Sequence, residues 1–145
     1  MWYSYATVRI VPRVERGEFV NVGVILFARE QEFLNARIEL DRERLRALAP
    51  ELDVDLVERH LRTFEDICAG RDRGGPVAAL PASERFHWLV SPRSTMIQTS
   101  PVHAGRLIAD DAADDAAVRL TAALEALLAE FVRLPATPGR VDQRA

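Results

Sequence analysis

The sequence predicts an α+β fold: an antiparallel β-meander sheet of about four to five strands, with about three helices packed mainly on one face. Two observations carry this expectation. Apolar residues recur at every second position through the first forty residues, then at spacings of three and four further on. Strands come first, helices next, and strands with a helix last, which is the order of an α+β chain and not of alternating βαβ units.

Taken in order, Trp2 to Ile10 places Ala6, Val8 and Ile10 on one face and Tyr5, Thr7 and Arg9 on the other. Pro12 cannot donate to a ladder and ends the strand, and Arg13 to Gly17 turn the chain. From Phe19 to Phe27, Val20, Val22, Val24 and Leu26 are expected on one face, opposite Asn21 and Gly23. A third run sets Leu34, Ala36, Ile38 and Leu40 inward and Asn35, Arg37 and Glu39 outward. Short connections favour antiparallel neighbours. Asp41 suits the N-cap of a short helix bearing Leu45 and Leu48. A second helix starts at Pro50 or Asp53, carries Val57, Leu61, Phe64 and Cys68, and ends at Gly70. Arg85 to Val90 reads as a strand, with Phe86, Trp88 and Val90 on one face, and Thr95 to Ser100 as a further one before Pro101. The final helix runs near Asp114 to Arg133 on a stripe of Leu120, Leu124, Leu127, Leu128 and Phe131. The aspartates at 110, 111, 114 and 115 lie where a helix N-terminus favours negative charge. One domain over residues 1–134 and a flexible tail over 135–145 are expected.

Composition narrows the function classes. The 145 residues are 48% hydrophobic and 28% charged, the balance of a globular protein. No apolar run approaches the ~20 residues of a membrane span, and the N-terminus has no signal-peptide pattern; a cytoplasmic location is expected. All 19 basic residues are arginine. The absence of lysine excludes a Schiff base with pyridoxal phosphate, a P-loop and the strand lysine of a protein kinase. The net charge of −3 argues against an extended nucleic-acid partner, which needs many phosphate contacts. Yet residues 85–109 contain no acid at all, while Arg85, His87, Arg93, His103 and Arg106 fall within them. Such a stretch can hold one anion.

Two segments contain the candidate binding residues. In the first, Arg9 and Asn21 share the less apolar side of the opening hairpin, Arg16 and Glu18 flank its turn, and Gly23 permits close approach of a ligand or a neighbouring backbone. The bland alternative is a solvated turn with an ion pair of little worth. In the second, Arg93, Ser94, Thr95, Gln98 and His103 supply hydrogen-bond donors without a competing carboxylate, and Arg93 can clamp a phosphate or carboxylate with two parallel bonds. Here the bland alternative is a strand and turn whose hydroxyls satisfy backbone groups. Catalytic templates fail. His60, Cys68, His87 and His103 lack zinc-site spacing, so no metal and no cofactor is expected. Cys68 sits on an apolar helical stripe and reads as a core thiol.

The string Tyr3 to Pro12 followed by Arg16 to Phe27, together with Phe86-His87-Trp88-Leu89, Ser91-Pro92-Arg93-Ser94, Gln98, Ser100-Pro101 and His103, resembles the bacterial domain of unknown function 3037 family. The likeness spans residues 3 to about 132. It implies a candidate partner, a HipA-like kinase, rather than an activity, and it adds weight to the two segments forming one surface. The leading expectation is a non-catalytic binding or accessory module recognising an anionic ligand or a partner protein through Arg9, Arg16, Glu18, Asn21, Arg93, Ser94, Gln98 and His103. The alternative is an enzyme of phosphate-ester or nucleic-acid chemistry, with His103 as general acid–base and Arg9 or Arg93 stabilising charge. A third reading makes the sheet an oligomerisation surface. The first two require Arg9, Asn21, Arg93 and His103 to meet in one hollow.

Overall fold

A computed structural model describes residues 1–93, 95–108 and 115–135. Ser94, Asp110, Asp111, Asp114 and the tail from residue 136 onward lie outside the described residues. The chain runs β1 (Trp2–Ile10), β2 (Val20–Ala28), β3 (Phe33–Ile38), α1 (Arg42–Leu48), α2 (Val54–Ala69), α3 (Ala82–Val90), β4 (Ile97–Thr99), β5 (His103–Arg106) and α4 (Ala116–Phe131). The five strands form one antiparallel sheet, so the fold is α+β as expected.

The sheet order is β3-β2-β1, and the outer edge of β1 is divided between two short strands. β5 pairs along Trp2–Tyr5 and β4 along Val8–Ile10. Between them Ser100 closes the gap: its N–H donates to the Thr7 carbonyl, and its hydroxyl accepts the Thr7 N–H, both at 2.9 Å.

Both faces of the sheet are covered, and three of the four helices share one of them. On that face Ala6, Val8, Ile10, Ile25 and Phe27 pack with Leu45 of α1, Val57, Leu61 and Phe64 of α2, and Phe86 and Leu89 of α3. On the other, Val24, Leu26 and Ala28 pack with Leu120, Leu124, Leu127 and Leu128 of α4. The caps fall where the sequence places them. The Asp41 carboxylate accepts from the Arg44 N–H at 3.1 Å, and that of Asp53 from the Leu56 N–H at 3.2 Å. Gly70 ends α2 in the left-handed region, at φ 71°. Asp115, the one described member of the aspartate group, caps α4 by accepting from the Ala117 N–H.

Three elements depart from the sequence expectation. First, β2 does not keep one apolar face. Val8 pairs with Gly23 but Arg9 pairs with Asn21, so Val22 is an extra residue in the ladder. This bulge turns Val20 and Val22 toward α1–α3 while Val24 and Leu26 face α4. Second, the stretch expected as a strand over Arg85–Val90 is α3. Phe86 and Leu89, three apart, are buried at 3% and 2%, while Trp88, expected inward, is 40% exposed. Six apolar-rich residues fit either period; Pro81 at the N-cap and the three-residue spacing favour the helix. Third, β5 is a strand that residue preference does not announce, since Ala104 and Gly105 are poor strand formers. Pairing with β1 makes it one.

Candidate functional site

Alternation along β1 sends Tyr5, Thr7 and Arg9 to the face that α4 covers, chiefly over β2 and β3, with Tyr5 stacked on Phe131 at the end of that helix. The register sets Asn21 of β2 and Gln98 of β4 on either side of Arg9, three polar side chains in one row. Asn21 is steered by α4, its Nδ2 donating to the Phe131 carbonyl at 3.1 Å. Gln98 Nε2 donates to the Thr95 carbonyl at 2.9 Å. The Arg9 guanidinium lies 4.1 Å from the centroid of the Phe19 ring. Burial draws its pKa below the usual arginine range. Arg9 Nε, Asn21 Oδ1 and Thr7 Oγ1 are buried without a hydrogen-bond partner among the described residues.

His103 is on the same face but at the other end of the strand. It pairs with Tyr5, whose ring centroid is 5.5 Å from its own. Four residues of β1 separate that row from Arg9, roughly 13 Å at about 3.3 Å per residue. Arg16, the last residue of a short 3-10 turn closed by Gly17 at φ 67°, and Glu18 form an exposed ion pair beyond the sheet. They border a cleft of about 360 Å³ together with Arg13, Leu48 and Glu51. A pair so exposed contributes little.

Arg93 belongs to the opposite side of the sheet. Because Arg85–Val90 is a helix, Arg93 falls just past its C-terminus, where carbonyls lack intrahelical donors. Its Nη2 donates to the Trp88 carbonyl, and its guanidinium stacks 4.0 Å from the Trp88 ring centroid. The hollow beside it, about 380 Å³, has a floor of Phe64, Ile67, Leu89, Met96 and Ile97 and a rim of His60, Thr63, Trp88, Arg93 and Thr95. Among the described residues no carboxylate lines it. Arg93 has no ion-pair partner among the described residues, and burial pulls its pKa down. It is a partly desolvated cation whose counter-charge is open.

The structure therefore brings Arg9, Asn21 and Gln98 together, leaves His103 two rows away on their face, and puts Arg93 across the sheet. The single hollow required by both leading expectations is not formed. What the sequence reading missed is the company of Arg93. His60, Thr63, Phe64 and Ile67 lie on one helical face at steps of three, one and three, a pattern that α2 makes legible once Arg93 is placed beside it. The two signature stretches do meet elsewhere: Tyr3, Ser4 and Phe27 border a cleft of about 610 Å³ with Phe86 and His87. There the His87 Nδ1 donates to the Ser83 carbonyl at 2.6 Å.

Cys68 has a structural role. It is 2% exposed, and burial pushes its thiol up to about 12, far above the range where a thiolate forms. Iodoacetamide in mildly alkaline buffer is expected to leave the native protein unmodified and to alkylate it only after unfolding in guanidinium, read by mass spectrometry. Rapid native modification would remove Cys68 from the core.

Among the described residues no group of three or more His, Cys, Asp or Glu is placed to hold a metal ion, and no helix is long and apolar enough to cross a membrane. An α+β sheet bearing an acid-free, arginine-rimmed hollow is the class of protein that these features define. The chain belongs to the family described as protein of unknown function (DUF3037), whose pattern matches residues 5–132. No curated protein and no solved structure matches it.

Proposed function

We propose that the protein is a non-catalytic binding or accessory module that holds an anionic ligand at the Arg93 hollow. One observation carries the reading: a half-buried guanidinium, fixed by Trp88, borders a concave apolar site with no carboxylate among the described residues of its lining. Burying an unpaired cation is costly, and an incoming anion offsets that cost. The hollow falls within the size range of small-molecule sites. As a cytoplasmic accessory module it would present this site to a partner protein, for which the family resemblance suggests a HipA-like kinase. The Arg9–Asn21–Gln98 row is a second polar surface on the opposite face, available to such a partner.

Isothermal titration with a panel of anions (inorganic phosphate, a nucleotide and short carboxylates) tests the reading. At least one is expected to bind, and Arg93→Ala to weaken it by one to two orders of magnitude, the worth of a charge-assisted hydrogen bond of about 1.5–3 kcal/mol. Arg93→Lys, which keeps the charge but loses the fork, is expected to fall between. Arg9→Ala should leave the affinity unchanged. If no anion binds, or binding ignores Arg93→Ala, the reading fails.

A further inference from the structure

The rim of the Arg93 hollow is selective in a way that charge alone does not show. Thr63 and Thr95 both line it, yet both hydroxyl protons are engaged with backbone carbonyls. Thr63 Oγ1 donates to Arg59 at 3.2 Å and Thr95 Oγ1 to Ile97 at 2.9 Å. Each hydroxyl then offers the hollow only lone pairs, which repel additional anionic oxygens. Among the described residues the side-chain donors on the rim reduce to the Arg93 guanidinium, one of whose N–H groups is already given to Trp88, the Trp88 indole N–H and the His60 ring. A guanidinium fork matches the two oxygens of a carboxylate. A phosphate brings further oxygens and a second charge for which the described residues of the rim supply no further arginine.

The floor points the same way. Phe64, Ile67 and Leu89 belong to the core, and Met96 and Ile97 are only half-buried at its margin. Those two leave apolar surface in water directly beside the cation. A ligand with an apolar body covers it.

We propose that the hollow takes an amphiphilic monocarboxylate, its carboxylate on Arg93 and its hydrocarbon chain or ring on Phe64, Ile67, Leu89, Met96 and Ile97. The inference rests on the anion-binding reading above and names the chemical class of its ligand. Affinity then grows with apolar length, about three- to fourfold for each methylene that reaches the floor.

Titration of the full chain with acetate, butyrate, hexanoate and octanoate, beside octan-1-ol and inorganic phosphate, tests it. The expected result is a stepwise rise along the acids, with octan-1-ol and phosphate both much weaker than octanoate. Arg93→Ala and Arg93→Lys should lower the whole series while keeping its slope, and Met96→Gln, which keeps volume but adds an amide, should flatten the slope. Phosphate bound in an Arg93-dependent way with a flat carboxylate series overturns the ligand class while the anion-binding reading stands. Octanoate binding unchanged in both Arg93 variants overturns the placement. Failure of every anion removes both.

Discussion

Replacing Gly23 with alanine is expected to destabilise the protein by about 3 kcal/mol, the upper part of the range for overpacking a tight interior. Gly23 is buried at the bulge of β2, opposite Ile38 of β3. A Cβ there would stand 2.6 Å from the Arg37 carbonyl oxygen and 2.5 Å from Ile38 Cδ1. The side-chain carbon can swing aside. The carbonyl belongs to the β2–β3 ladder and cannot move without loosening it. Gly17→Ala is the internal comparison: a Cβ there meets nothing within 4 Å, and only its left-handed backbone, φ 67°, penalises a side chain, at about 1–2 kcal/mol. Urea titrations of both variants should therefore rank Gly23→Ala well below Gly17→Ala. Equal midpoints would deny the close approach of β2 to β3.

Leu128→Ala is expected to cost about 2–5 kcal/mol, as fully buried leucines do when truncated. Leu128 is 0% exposed and packs with Val24, Leu26 and Ala28 of β2 beneath α4. The residues around it are held on a stiff sheet, so the void left by the lost methyl groups closes poorly. Asn21 would feel the change too, because its amide is anchored to the Phe131 carbonyl at the end of the same helix. Thermal unfolding of the variant checks the size of the effect. A loss below about 1 kcal/mol, the level of ordinary surface changes, would mean that α4 does not seal this face.

The regular elements were legible because their polar and apolar sides differ. In β3, Asn35 and Arg37 mark the side away from Ala36 and Ile38, and in α2 the apolar stripe returns every third or fourth residue beside acids and arginines. The bulge was not legible for the same physical reason. β2 is apolar from Val22 to Ala28 and buried on both faces, so a flip of every side chain leaves no trace in polarity. Gly23 was marked as a point of close approach, and its neighbour is the backbone of β3. At the site, the acid-free stretch identified Arg93 as a cation looking for a partner. Its companions were hidden because their assembly depends on α3 being a helix. Read as a strand, Arg85–Val90 would deliver Arg93 to a sheet edge. As a helix, it delivers the guanidinium to Trp88 and to the rim of the hollow that α2 lines.

The divided outer edge of β1 has a consequence for behaviour at high concentration. A sheet edge is a template on which a foreign strand can add and fibres can grow, and long, flat, continuous edges are the dangerous ones. Here an incoming strand would find the three residues of β4, then Pro101, which has no N–H to offer, then the four residues of β5. Neither piece is long enough to hold a stranger in register. By splitting one long edge strand into two short ones, this side of the sheet resists sticking to its own kind.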